Sequence, residues 1–355
     1  MLIEYSSILS HFKRRTLMKV LISIPAGGTR NGFLDEGSIK LLEDNFEVIY
    51  NETGKNYNQA QLTEAIKDVD ILVTGWGFAS CIGGPLHDNT SLKMIAHTAG
   101  SVGDLVDSEA YDKGITIVSG NKLFAESVAE GTIAYMMSAL RKIPTEVYGL
   151  KEGHWHHPDV PKTRGLLDRE IGIIGYGMIS QNLMRMLQVF RCKFKIFSQF
   201  PMDEEFLKSV NATRVDTIEE IFSTCSIVSL HSALNEKTRN LIRKEHFELL
   251  PENAVFVNTA RGAIINQKEM EEFLSARPDV TAILDVYSPE PPEADNVMRS
   301  LNNVYMLPHR GGPTNDRFPH IGRAVVEDIV RFGKGEPLQL EITREYASRM
   351  TKQSH

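Results

Sequence analysis

Cysteine is scarce in this chain: Cys81, Cys192 and Cys225 are its only thiols among 355 residues. Their odd number, wide spacing and apolar surroundings exclude a disulfide framework and suit core residues in a reducing compartment. No uninterrupted apolar run approaches the roughly 18 residues that a membrane span requires. The opening Met1–Leu17 segment lacks the ordered positive start, apolar middle and cleavage site of a secretory signal. Positive charge is not in excess either, and the net charge of -7 argues against general affinity for nucleic acid. These absences lead to the expectation of a soluble cytoplasmic protein. Residues 1–17 are read as an extension, whose basic cluster Lys13-Arg14-Arg15 precedes a start-like Met18. There is no internal repeat and no low-complexity tract.

What is present is the balance of an ordinary globular protein, 42% hydrophobic and 24% charged, in a chain too long for one typical core. Eleven short apolar, β-branched runs alternate with helix-like segments, the pattern of parallel sheets covered by helices on both faces. Five precede residue 121: Val20–Ile24, Phe46–Tyr50, Ile71–Gly75, Met94–Thr98 and Ile115–Ser119. Six follow: Ile171–Gly175, Phe194–Ser198, Ser226–His231, Ala254–Thr259, Thr281–Tyr287 and Val304–Leu307. The class is α/β, with two doubly wound domains. The spacing predicts a long helix from about Ala125 through Arg141. It predicts another after His309, with Phe318, Ile321, Ala324, Val325, Ile329 and Phe332 on one face. No strand follows that last helix, so it can return to the first domain. The expected division is 18–124 with 310–355 as a substrate-binding domain, and 125–309 as an inserted dinucleotide-binding domain.

The run Gly175-Tyr176-Gly177-Met178-Ile179-Ser180 follows a strand and opens the helix face Ile179, Leu183, Met184, Leu187. A first glycine permits a tight turn and a second lets backbone approach a pyrophosphate; Ser180 stands where a third would ease helix packing. Such a fingerprint alone is as consistent with a chance glycine turn, and its place between strand and helix is what favours a dinucleotide. The next strand ends in Ser198-Gln199-Phe200-Pro201, without the acid that grips a ribose or an arginine for a 2'-phosphate. This favours NAD and leaves NADP open. Ser198 either contacts the cofactor or simply starts the turn before Pro201.

Three further stretches end abruptly in polar groups: Val257-Asn258-Thr259-Ala260-Arg261-Gly262, Leu284-Asp285-Val286-Tyr287-Ser288-Pro289-Glu290-Pro291, and Leu307-Pro308-His309-Arg310-Gly311-Gly312. Buried strand ends rarely carry arginine without a purpose. A guanidinium to grip a carboxylate, an imidazole to move a proton and a carboxylate to stabilise the imidazolium are what reversible reduction of a 2-keto acid needs. Taken singly, each has an ordinary structural reading: Arg261 in an ion pair with Asp285, Glu290 a loop acid, His309 a satisfied core histidine. Their joint occurrence reverses those odds.

In their order and spacing, from about residue 18 to 340, these motifs resemble the D-isomer-specific 2-hydroxyacid dehydrogenases, the family of glycerate, phosphoglycerate and D-lactate dehydrogenases. The resemblance implies that Arg261 binds the substrate carboxylate and polarises the keto oxygen. It implies that His309 protonates that oxygen as hydride arrives, and that Glu290 holds the imidazole in its charged form. It implies that Asp285 hydrogen-bonds the nicotinamide amide, and that Gly175, Tyr176, Gly177, Met178, Ile179, Ser198, His231 and Thr259 line the cofactor. Gly100, Ser101 and Val102, in a turn one residue longer than usual, would face the substrate acid, with a plain turn as the alternative. Trp76 would wall the substrate pocket or serve packing. Ala233 stands where proline is usual, and Arg310 is either a second cation for a doubly acidic substrate or a solvent-facing side chain.

His154-Trp155-His156-His157 lacks nearby Cys or a matching acid pattern, and no metal is expected. Ser127–Val147 places Val128, Ile133, Met136, Met137, Leu140 and Ile143 on more than one face, which suggests a homodimer. A nicotinamide-sensing, corepressor-like binding protein on the same fold is the main rival. A formate dehydrogenase, which pairs its histidine with glutamine, is disfavoured by Glu290, and a Rossmann-type methyltransferase has no use for the three groups.

Overall fold

The computed structural model describes residues 17–87, 91–155 and 163–352; residues 1–16 of the extension read as 1–17, together with His156 and His157, lie outside them. The chain divides into two compact units, one of Met1–Gly120 with Asp316–Ser348, the other of Asn121–Asn315 with Arg349–His355. The crossings therefore fall a few residues from those read in the sequence. Residues 310–315 and the final segment cluster with the second unit instead of the first.

The first unit holds β1 (Lys19–Ile22), β2 (Glu47–Tyr50), β3 (Ile71–Thr74), β4 (Met94–His97) and β5 (Thr116–Ser119) in the order β2-β1-β3-β4-β5. Every pairing is parallel. Every residue of β3 and β4 is buried, as expected of strands covered on both faces. The helix Phe318–Lys334 lays Ile321, Val325, Val326 and Ile329 into this unit's core, while Phe318, Ala324 and Phe332 are only partly buried. Its buried Asp328 accepts backbone N–H bonds from Gln339 (2.9 Å) and Leu340 (2.7 Å), fixing the chain that follows the helix.

The second unit holds β6 (Glu170–Ile174), β7 (Lys193–Phe197), β8 (Ala212–Arg214), β9 (Ile227–Leu230), β10 (Val255–Asn258), β11 (Thr281–Leu284) and β12 (Val304–Met306). Their order is β12-β11-β10-β9-β6-β7-β8, parallel throughout. The order reverses between β9 and β6, the switch point at which doubly wound sheets bind ligands beyond their strand ends. Strand β8 went unread in the sequence because Ala-Thr-Arg has no apolar run: it is a three-residue edge strand with two exposed side chains. Phe222, Phe247, Phe256 and Phe273 pack together on one side of this sheet. Met136, Leu140, Leu183 and Met184 belong to a second core cluster with Ile171 and Ile173.

The helix expected over 125–141 runs from Asn121 to Leu140 and stops at Lys142, whose φ of 53° is left-handed. A separate helix, Ile143–Lys151, follows with Pro144 in its first turn. Among the described residues no helix is long and apolar enough to cross a membrane, and no group of three or more His, Cys, Asp or Glu is placed to hold a metal ion. Cys81, Cys192 and Cys225 are all buried free thiols; burial pushes Cys81 up to about 12 and Cys225 up to about 11.

Candidate active site

The glycine turn sits where the sequence put it. Gly175 follows β6 with φ 107°, and a Cβ there would meet the His231 carbonyl carbon at 2.7 Å, so the close approach of the turn to the chain after β9 requires glycine. Gly177 precedes the helix Met178–Met186, and a Cβ on it would meet nothing within 4 Å. Its conformation is extended, so neither strain nor packing explains the glycine, and the space beside it is open. Ser180 is fully buried and its hydroxyl accepts from Gly177 N–H at 2.9 Å, so the departure from a third glycine is used to brace the turn.

A second observation marks the same place. His231, directly after β9, is buried beside the Gly175 turn; its Nε2 lies 2.8 Å from Ser229 Oγ, while its Nδ1 is buried with no hydrogen-bond partner. Burial lowers its proton affinity to about 4, so the ring is neutral and offers one nitrogen at the switch point. An orphaned buried nitrogen, an empty approach at Gly177 and a helix N-terminus are together a fit for a dinucleotide pyrophosphate and its flanking riboses. Thr259, after β10, is buried with its hydroxyl 3.2 Å from that of Thr132. Ser198 accepts from Phe200 N–H at 3.1 Å, so it does start the turn before Pro201, with its own O–H available to donate.

Arg261, Asp285 and His309 follow β10, β11 and β12, three neighbouring parallel strands, so all emerge at one end of one sheet. Two strand spacings, about 10 Å, separate the outer pair. Buried Asn258 shapes the first of these ends, accepting from Ala260 N–H at 3.0 Å and donating to Arg261 O at 3.3 Å. Gly262 is required because a Cβ there would fall 2.0 Å from the Tyr287 carbonyl carbon: the chains after β10 and β11 touch backbone to backbone. The Tyr287 hydroxyl accepts from Leu307 N–H at 2.8 Å and lies 2.8 Å from Leu284 O, tying β11 to the chain after β12. Burial pushes that phenol up to about 12, so it stays protonated.

His309 Nδ1 is hydrogen-bonded to Glu290 Oε1, and both side chains keep roughly half to a third of their surface open. The pairing fixes the ring through one nitrogen and leaves Nε2 to face a reactant. His309 itself adopts φ 52°, an unusual conformation for a residue with a Cβ. Buried Asp285 compensates: its two oxygens accept from Arg310 N–H (2.7 Å) and Gly311 N–H (2.8 Å), locking the turn that presents the imidazole. The Arg310 side chain is exposed. Asn258, Tyr287 and this bracing by Asp285 were not read from the sequence; an asparagine closing the apolar run Val255–Asn258 was the available signal.

The remaining candidates lie in the first unit. Ser101 accepts from Gly103 N–H at 3.2 Å, and Ser119 donates to the Ala99 (3.0 Å) and Gly100 (2.5 Å) carbonyls, so 99–103 is a braced turn in which the Val102 side chain is wholly buried. Trp76 packs edge-on against Phe33 and Phe318, with ring centroids 5.0 and 5.2 Å away, yet remains 46% exposed.

Residues 133–311 match the family model described as "D-isomer specific 2-hydroxyacid dehydrogenase, NAD binding domain". The chain is 32% identical over 322 residues to a D-3-phosphoglycerate dehydrogenase of Methanocaldococcus jannaschii, covering 90% of this chain and 58% of that protein. It is 30% identical over 304 residues to a hydroxypyruvate reductase of Thermotoga maritima, covering 85% and 96% respectively. It thus spans about half the length of the archaeal phosphoglycerate dehydrogenases it matches. Among solved structures the PH0520 protein of Pyrococcus horikoshii superposes with a TM-score of 0.77 at 22% identity, covering 93% of this chain and 96% of that one.

Proposed function

We propose that this chain, which belongs to the D-isomer specific 2-hydroxyacid dehydrogenase family, transfers hydride between NAD(H) and a small 2-keto or D-2-hydroxy acid. The observation that carries the reading is the His309–Glu290 pair, set on a braced turn at the same sheet end as Arg261. A bound nicotinamide supplies the hydride; this chain supplies charge and protons. Arg261 would hold the substrate carboxylate in a forked, charge-assisted contact and draw electron density toward the keto oxygen. His309 would give that oxygen a proton from Nε2 in reduction and take it back in oxidation, while Glu290 at Nδ1 stabilises the imidazolium. Gly175, Tyr176, Gly177, Met178 and Ile179 would hold the pyrophosphate side, Ser198 a ribose, and His231, Thr259 and Asp285 the nicotinamide half.

The test is an absorbance assay of NADH and NADPH oxidation against glyoxylate, hydroxypyruvate, pyruvate, 2-ketogluconate and phenylpyruvate, with Arg261→Ala beside the wild type. Turnover on at least one acid, lost in the variant, is expected. Nicotinamide binding without turnover on any of them points instead to a sensing protein.

Of the residues read for a dimer face, Met136 and Leu140 are buried in their own unit's core, whereas Met137 and Ile143 are exposed. Val147, Tyr148 and Leu150 on the helix Ile143–Lys151 add to that exposed apolar surface. We propose a second copy of the chain against that helix. Light scattering should give twice the chain mass, and Val147→Glu should halve it; a wild-type monomer at micromolar concentration removes the proposal.

A further inference from the structure

We infer that Tyr135 is a positioning residue of the proton relay: from the helix Asn121–Leu140 it seats Asp285, and through Asp285 the turn that presents His309. The inference rests on the dehydrogenase reading and adds to it a residue that acts on the imidazole at one remove. The His309 turn needs such a support. Its φ of 52° is a left-handed conformation that a residue with a Cβ keeps only where its surroundings hold it. The His309–Glu290 pair, open to solvent on both side chains, supplies little of that hold. Asp285 supplies it: only 2% exposed, it accepts from Arg310 N–H at Oδ1 (2.7 Å) and from Gly311 N–H at Oδ2 (2.8 Å). The turn is therefore placed as accurately as one buried carboxylate is placed.

Among the described residues, Tyr135 is the one side chain that donates to that carboxylate. Its hydroxyl lies 3.4 Å from Asp285 Oδ1, the oxygen that also takes the Arg310 amide. Burial and the Asp285 charge push the phenol up, so it keeps its proton and stays a donor. The same ring covers the turn: a Cβ on Gly311 would stand 3.2 Å from Tyr135 Cε2 and 2.8 Å from Asp285 Oδ2. One helical turn earlier, a Cβ on Gly131 would strike the Gly311 carbonyl oxygen at 2.6 Å, so helix backbone and turn backbone also meet. Gly131 and Tyr135, at positions i and i+4, share one face of the helix. Beside them Thr132 Oγ1 lies 3.2 Å from Thr259 Oγ1, in the chain after β10. One helix thus touches the chain after β10, β11 and β12, and Tyr135 is the residue by which it grips the group that shapes the His309 turn.

The experiment has one arm without turnover and one with it. Amide hydrogen exchange at Arg310 and Gly311 is followed by NMR in the wild type and in Tyr135→Phe, which keeps the ring against Gly311 and loses the donor. Single-turnover oxidation of bound NADH at saturating keto acid is compared in the same two proteins, and again with His309→Gln added to each. Tyr135→Phe should speed exchange at these two amides and slow hydride transfer, each by about fivefold, the worth of one net hydrogen bond. NADH affinity and KM for the keto acid should change less than about twofold. With His309→Gln present, the same substitution should slow the reaction by no more than about twofold, because its effect passes through the imidazole. Gly131→Ala, which drives a methyl group at the Gly311 carbonyl, should show the same pattern with a larger loss, and it carries the test if Tyr135→Phe does not fold. Three results overturn the inference: unchanged exchange and rate in a folded variant, a loss carried by KM or NADH affinity, or a loss that persists in full without His309. A wild type that binds NADH and turns over no keto acid would sink the dehydrogenase reading instead, and the exchange arm would still decide whether Tyr135 holds the turn.

Discussion

Both units close a central parallel strand with a buried histidine braced by a hydroxyl. In the first, His97 at the end of β4 lies 2.8 Å from Thr74 Oγ1 through Nδ1; in the second, His231 after β9 lies 2.8 Å from Ser229 Oγ through Nε2. Both are held neutral by burial, with proton affinities lowered to about 4. The units part company in what the neighbouring strand ends carry. The second places Arg261, Asp285 and His309 on three adjacent strands, and the Asn258, Tyr287 and Asp285 side chains spend their hydrogen bonds on holding those ends. The first places Thr74, Thr98 and Ser119 there, and their hydroxyls satisfy local backbone and imidazole groups. The same fold is a scaffold in both cases, and chemistry follows the charged groups added to its strand ends.

The largest expected effect separates the two histidine sites. His309→Gln should lower the rate of reduction by about 10²–10⁴, the usual contribution of a general acid, with NADH affinity kept. His97→Gln should leave the rate within a few-fold once its folded fraction is accounted for. Equal losses in the two would erase the functional difference between the units.

Next come two glycines of the second unit with opposite surroundings. Gly262→Ala must push a methyl group into the Tyr287 backbone and should cost about 3 kcal/mol or more in urea unfolding. Gly177→Ala meets only open space, so its thermal midpoint should stay put while NADH binding weakens by on the order of tenfold. If Gly177→Ala binds NADH normally, the empty approach at that glycine is not where the ligand comes in.

Acid should loosen both units alike. Unfolded histidine takes a proton near 6.5, whereas His97 and His231 resist one down to about 4. As pH falls from 6.5 toward 4 the unfolded chain gains protons that the folded chain refuses, so stability is lost across that window. At pH 5 the loss is about 2 kcal/mol per imidazole relative to pH 7. The two tryptophans report the units separately: Trp76 lies in the first and Trp155 in the second. In a Trp155→Phe background, His97→Gln should flatten the acid sensitivity seen by Trp76 fluorescence; an unchanged pH dependence would mean that His97 is not the group refusing the proton.

The smallest effect is the most specific. Glu290→Gln keeps an acceptor for the His309 Nδ1–H but removes the carboxylate charge, so kcat for reduction should fall several-fold while KM for the keto acid changes little. An unchanged kcat would reduce Glu290 to a mere spacer.

How much of this was legible in the sequence follows the same contrast. The eleven apolar runs all became strands, most of them because they lie buried between helix layers, while the edge strand β2 has no buried residue; β8 escaped because an edge strand of three residues needs no apolar face. Arg261, Glu290 and His309 could be read because charged side chains interrupt buried runs. Tyr287 could not, since a phenol that serves backbone groups leaves no period or motif, and Asn258 left only the trace of an amide closing an apolar run.

Proton delivery by His309 is read out in single-turnover oxidation of bound NADH at 340 nm on mixing with the best 2-keto acid, in wild type and His309→Gln at matched NADH occupancy. A rapid phase is expected in the wild type, slowed by about 10² or more in the variant, with a D-hydroxy acid as product. Equal rate constants in the two proteins, or an L-hydroxy acid, would contradict it.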